Sequence, residues 1–393
     1  MFHPQTQKYF TCLLPALLLI FTNTGYSFQP SLSNSILSSG KWIKIEVSER
    51  GIYRITKQDL LNSGFSSAGI VPSKIRLFGN GGKVIPQKIS DPRPEDLIEN
   101  AIYITGSNDG TFDTSDVILF FADGPDELRY DQSNKLQYSR NPYSNSSYYF
   151  LTISDNDGKR IESRINEGGS FTLIDYYHDL KSHEVDEHNI LQALITSYGG
   201  SGREWYGERF KENLNQSISF NIDNLFDAGN STLITSLLGV SKTSSSFQTK
   251  INNILLGDQP ITAIPDSRYG VKGQARVDTF LISNSLLGQI QNAEIQLQYF
   301  PGNAIEDAGY LNYLILAAER KLIKGAGSLI FQNLLTNVSG SHTYAIQNLQ
   351  TPDIIWDITN PKSPVLQEFD FTGDTGMFGI TTDSLHRFIA FNS

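Results

Sequence analysis

Lys41-Trp42-Ile43-Lys44-Ile45-Glu46-Val47 alternates strictly, with Ile43, Ile45 and Val47 on one side and Trp42, Lys44 and Glu46 on the other. That is the two-residue period of a half-buried strand. Glu49-Arg50-Gly51 reads as a turn, and Ile52 to Ile55 as a returning strand. Thr56 with Asp59 reads as a capping box, which predicts a short helix over Lys57 to Ser63, closed at Gly64. Beyond it, Ile75 to Phe78, Ala101 to Thr105, Val117 to Ala122 and Tyr148 to Ile153 read as strands. Gly79-Asn80-Gly81-Gly82 reads as a hairpin turn, since these residues tolerate positive φ.

The second half carries the same signal. Strands are expected over Ser217–Ile222, Leu233–Val240, Phe247–Ile251, Arg276–Ile282, Glu294–Tyr299, Leu311–Ala317 and Ser328–Gln332, at the spacing of a sandwich. Asn189 to Ile195 is the strongest helix candidate, and it is short. The expected fold is therefore mainly β. An N-terminal β-rich domain over 28–165 precedes a jelly-roll-like β-sandwich over 166–393.

Composition agrees. The chain has 393 residues, 39% hydrophobic, 11% aromatic and only 18% charged. This is enough to bury a core and too aromatic for a disordered chain. The net charge of −10 argues against a nucleic-acid partner, which needs a basic face.

Residues 1–27 read as an export signal. A short polar start with Lys8 precedes the apolar run Tyr9 to Phe21, and Gly25 and Ser27 supply small residues before Phe28. The apolar run is shorter than the roughly 20 residues of a membrane span. Cys12 is the single cysteine. The mature chain is then expected to lack a thiol, and with it a disulfide, a cysteine zinc ligand and a cysteine nucleophile.

Asp109, Asp113 and Asp116 around Gly110 resemble the second half of an EF-hand-like loop and are the metal candidates. Thr105 stands where such a loop has its first carboxylate, so calcium is not expected to bind tightly. A turn with aspartates capping amides is the competing reading. His183 and His188 lie five apart, one residue beyond a zinc-protease helix spacing, and with His178 are expected to be solvated loop residues. Gly79 to Lys83 lacks the length and the Ser/Thr of a phosphate loop, and no Gly-x-Ser-x-Gly elbow occurs. Trp42, Trp205 and Trp356 are expected to pack in cores or at edges rather than on sugars. In Gly202-Arg203-Glu204-Trp205-Tyr206-Gly207-Glu208, the candidate binding residues are Arg203, Trp205, Tyr206 and Glu208, types that anchor interfaces. The competing reading, and the expected one, is a staple between domains, with Trp205 buried and Arg203 paired to a carboxylate such as Glu208.

Several segments together carry a resemblance. They are Gly40–Ile45 with Gly51–Ile55; Pro72–Gly82; Glu99–Ile104 with Asp109–Asp113 and Phe120–Pro125; Tyr148–Leu151; Gly202–Glu208; and the closing Trp356–Thr359. In order along the mature chain, they resemble the amino-terminal region of the PorU family, the gingipain-like sortases of the Bacteroidetes type IX secretion system. The resemblance implies an outer-membrane, cell-surface cysteine peptidase that removes the carboxy-terminal signal domain of cargo and aids its attachment to anionic lipopolysaccharide. Its Cys–His chemistry sits in a caspase-like α/β domain. This sequence holds no such domain, no mature cysteine and no position onto which a catalytic residue carries. It ends near where that domain would begin.

The expectation is thus a non-catalytic accessory module or truncated form of such a sortase. Its expected place is the outer membrane or cell surface, or the periplasm if it is a fragment. Its expected partners are a downstream catalytic domain or companion chain, outer-membrane secretion components and cargo signal domains. No cofactor is expected. The alternative is a carbohydrate- or protein-binding envelope sandwich. A carboxylate glycosidase has no motif in its support.

Overall fold

The computed structural model describes residues 34–66, 69–86, 88–169, 171–190, 204–267, 270–302 and 307–392. The fold is mainly β, built as largely antiparallel sheets facing one another, with few and short helices among the described residues. The expected signal segment, 1–27, lies outside the described residues, as do residues 191–195 of the expected helix.

The first sandwich pairs two sheets. One holds Ile43–Val47, Ser147–Ile153, Ile75–Phe78 and Glu99–Asn100; the other holds Gly51–Thr56, Val117–Ala122 and Tyr103–Ile104. Between them lie Val47, Ile75, Leu77, Ile118, Phe120, Tyr149 and Leu151, with Ile43 and Ile45 packed alongside, as the alternation predicts. The capping box of Thr56 and Asp59 is present and starts the helix Lys57–Asn62.

Two turn expectations are corrected. The strand after Arg50 does not double back on Ile43–Val47. Ile43–Val47 pairs with Ser147–Ile153, whereas Gly51–Thr56 pairs with Val117–Ala122 in the facing sheet. Crossing between sheets lets the apolar faces of both strands share one core. Gly79–Gly82 is no tight hairpin either: Leu77 and Phe78 pair with Asn100 and Glu99 only after the long loop 79–98. Two of these glycines serve close approach instead. A Cβ on Gly79 would stand 2.6 Å from the Tyr149 ring, and one on Gly82 1.6 Å from the carbonyl of Gly124.

Among the described residues, the stretch from 166 to 392 builds two sandwich cores rather than one. A middle sandwich sets Tyr176–Glu184, Ala308–Lys321, Asn230–Val240 and Gln274–Ser283 against Asn215–Asn221, Asn292–Phe300, Ser245–Ile251 and Ile254–Ile261. Phe210, Leu233, Phe247, Ile295 and Leu316 fill it. A last sandwich takes strands from both flanks of the middle one. Glu162–Arg164 runs parallel to Val365–Gln367, and Thr172–Ile174 runs parallel to Gly340–Ile346. Tyr344, Phe331, Phe378 and Phe388 form its core. The strand on the early side of residue 165 therefore shares a sheet with the C-terminal strands.

A further cluster joins the first and last sandwiches. Val117, Leu119 and Phe121 pack against Trp356, Ile358, Ile389 and Phe391, so Val117–Ala122 is buried on both faces. Trp356 is fully buried, edge-on to Phe391 at 4.9 Å and to Tyr103 at 6.2 Å. Packing of this kind holds the two sandwiches in one arrangement and fixes the clefts between them.

Candidate functional site

A cleft of about 480 Å3 opens between the first and middle sandwiches. One wall is the loop Val84–Pro86 with Tyr138 and Arg140, which belong to or follow the strand Leu136–Ser139. The other wall carries Glu184, Asp186, Glu204, Trp205, Asn312 and Tyr313.

The walls are bridged by hydrogen bonds. Tyr138 donates to Glu184 Oε2 at 2.5 Å, and its ring lies 5.1 Å from that of Tyr313. Arg140 donates to the carbonyl of Glu184, and its Nε stands 3.2 Å from Asp186. Asn312 donates to Glu204 Oε1 at 2.8 Å. Burial lifts the Glu184 carboxyl above its ordinary range and Asp186 adds to the lift, against the hydrogen bond from Tyr138. Burial, then Glu184, pushes the Tyr138 phenol up as well.

The run from 202 to 208 divides here. Gly202 and Arg203 lie outside the described residues. Trp205 is 41% exposed and faces the cleft, which corrects the buried staple. Tyr206 is buried; its main chain exchanges hydrogen bonds with His188, and its ring stands 6.1 Å from Tyr310. Glu208 bonds His183 Nε2 at 2.6 Å. Burial raises the Glu208 carboxyl while His183 pulls it down, for a net lowering. The extended run is stitched along Ala308–Lys321 through Gly207 and Glu208, and Trp205 is left at the rim.

Two of the three histidines are not solvated loop residues; His188, half-buried, lies outside the strands and is bridged to Tyr206. His178 and His183 lie on the strand Tyr176–Glu184, and burial lowers His178 to about 4. Their neighbours explain this: the strand pairs along its length with Ala308–Lys321. The aspartates turn inward on their own loop. Asp109 accepts from the Thr111 amide, Asp113 from Ser115, and Asp116 from the Asp113 amide at 2.9 Å. Asp116 is buried against Gly106, where a Cβ would meet its Oδ1 at 1.7 Å. Among the described residues no group of three or more His, Cys, Asp or Glu is placed to hold a metal ion. Of the other tryptophans, Trp42 donates to the Ser39 carbonyl and packs on Phe78, and Trp356 is in a core.

Sequence reading singled out Trp205 but missed its companions. Tyr138, Arg140 and Tyr313 carry no motif, and only folding brings them to it. Exposed aromatic faces, carboxylate acceptors, an amide and a guanidinium are groups that recognise a ligand or a partner.

No protein-family model matches the chain, and no curated protein matches it. Among solved structures, the dimeric latent form of PorU from Porphyromonas gingivalis superposes with a TM-score of 0.72 at 22% identity, over 91% of this chain and 32% of that one. The insecticidal delta-endotoxin Cry8Ea1 from Bacillus thuringiensis reaches only 0.22 at 10% identity, over 65% of this chain and 43% of that one. This chain thus spans about a third of the length of the PorU structure, and over that third the two share a fold.

Proposed function

We propose that the chain is the non-catalytic amino-terminal module of a type IX secretion sortase, working at the outer membrane or cell surface. In this reading it packs against a gingipain-like cysteine peptidase domain, downstream or on a companion chain. It presents the Trp205 cleft to an outer-membrane secretion component or to the carboxy-terminal signal domain of cargo. The shared fold with PorU over 91% of this chain supports the reading. The exposed Trp205, with tyrosines and carboxylates around it, supports a role for the cleft in docking. The test is deletion of the coding region in the bacterium that makes the chain, followed by mass spectrometry of secreted proteins. Retained signal domains on cargo are expected; normal processing would overturn the proposal.

A second reading rests on the same rim. Trp205 beside Tyr138, Tyr313 and Asn312 also suits stacking and hydrogen bonding of a sugar in a carbohydrate-binding sandwich. A glycan array with the purified chain, showing binding lost in Trp205→Ala while cargo processing stays normal, would favour it.

A further inference from the structure

The three sandwiches meet around a second cavity, of about 260 Å3. Arg50 reaches it from the first sandwich, Lys181 and Arg320 from the middle one, and Arg387 from the last. Four cations line it and one carboxylate, Asp179, in a chain whose net charge is −10.

Most of these charges are engaged. Asp179 accepts from Arg320 at 2.6 Å and stands 3.6 Å from Lys181. Arg320 also bonds Asp223. Arg50 donates to Asp123 at 2.7 Å and to the Leu128 carbonyl at 3.1 Å. His178, which also lines the cavity, is held neutral near pH 7 by burial.

Arg387, paired with Asp123 only at a distance, is the buried cation left with an unmet donor. It is only 9% exposed, its Nη2 has Asp123 no closer than 3.7 Å, and its Nη1 has no hydrogen-bond partner. Burial, and then the neighbouring Arg50, bring its pKa down to about 10. A buried guanidinium with an unmet donor, beside a second cation, is unfavourable unless an acceptor completes it.

We infer that this junction cavity is a binding site for a small oxyanion, a phosphate or a carboxylate, gripped by Arg387 with Arg50 and Lys181 around it. The guanidinium fork matches both anions, and their charge offsets the cation excess. The site is separate from the Trp205 cleft and shares no lining residue with it. A bound anion would touch all three sandwiches at once and tie them together.

The experiment titrates inorganic phosphate, and separately acetate, into the purified chain by calorimetry. Sodium chloride is matched for ionic strength, because screening alone weakens surface pairs. Saturable binding with a dissociation constant of about 1 mM or tighter is expected, with a rise in melting temperature as the ligand favours the folded state. Lys181→Gln, at a half-exposed position, should fold normally and weaken binding about tenfold. Arg387→Lys keeps the charge, removes the fork and should weaken it further. Phosphate binding without acetate would assign a tetrahedral anion; acetate binding as well would extend the site to carboxylates. Absence of saturable heat with both anions, or unchanged affinity in both variants, would overturn the inference.

Discussion

Asp357 of the closing Trp356–Thr359 segment is the point at which the last sandwich can be challenged most cleanly. Its Oδ2 stands 2.6 Å from His386 Nδ1 and accepts from Arg164 at 2.8 Å; its Oδ1 accepts from the amide and hydroxyl of Thr359. Burial alone would raise its pKa, but the His386 bond and charge, Thr359 and Arg164 outweigh burial and hold it at about 2, against 3.8 when unfolded. A lowering of that size corresponds to roughly 2–3 kcal/mol of stability. Because the folded value is the lower one, this stability is fully present above about pH 4 and is lost as pH falls towards 2. Asp357→Asn keeps an acceptor for Thr359 but turns a neutral amide on His386 and Arg164. Arg164 retains its bond to Gln367 at 2.6 Å, which limits the damage. The expected loss is about 2–3 kcal/mol at pH 7, or a melting temperature lower by about 5–10 °C for a cooperative unit of 150–250 residues. Calorimetric scans of both proteins at pH 7, 4 and 2.5 check this. Wild type and variant should converge as the pH drops. Equal melting temperatures at pH 7, or a gap that widens in acid, would refute the account of Asp357.

Other outcomes follow from the geometry. Trp205→Ala should leave the unfolding free energy within about 0.5 kcal/mol of wild type, as exposed substitutions do, and a loss of several kcal/mol would return Trp205 to the staple role. Trp356→Ala should cost about 3–5 kcal/mol, read by urea unfolding, because it empties the cluster joining two sandwiches. Calcium titrated to millimolar levels should give no saturable heat at Asp109, Asp113 and Asp116, each of which has one carboxylate oxygen held by a backbone amide; a micromolar dissociation constant would contradict this. Residues 28–393, which lack Cys12, should show no cleavage of a cargo signal domain that a thiol-alkylating reagent can block; such cleavage would defeat the non-catalytic reading.

What the sequence made legible was local. Strand positions such as Val117–Ala122 and Ile75–Phe78 were visible because their residue types and runs report burial directly. The Thr56–Asp59 cap was visible because both partners lie within one turn. Pairing was not legible. Nothing near Gly51 says that its strand joins Val117–Ala122 rather than Ile43–Val47, since the choice depends on which sheet completes the core. Tyr176–Glu184 was missed because its exposed and half-buried residues blur the alternation, and its histidines drew attention as ligands instead. The cleft was legible only as Trp205; its other wall lies more than sixty residues earlier in the chain, at Tyr138 and Arg140.

The placing of the middle sandwich between strands of the last one sets an order of events as the chain is synthesised and folds. Glu162–Arg164 emerges 203 residues before its partner Val365–Gln367, and Thr172–Ile174 waits for Gly340–Ile346. Loop closure over that length is slow while the intervening chain is loose. The middle sandwich draws the ends together when it forms, because Leu322 donates to the Asp175 carbonyl at 2.7 Å at its base. Its folding turns a distant encounter into a nearby one. The last sandwich, with Arg387 and Asp357 in its final strands, is therefore the part to mature last and the part a delayed or interrupted chain leaves open.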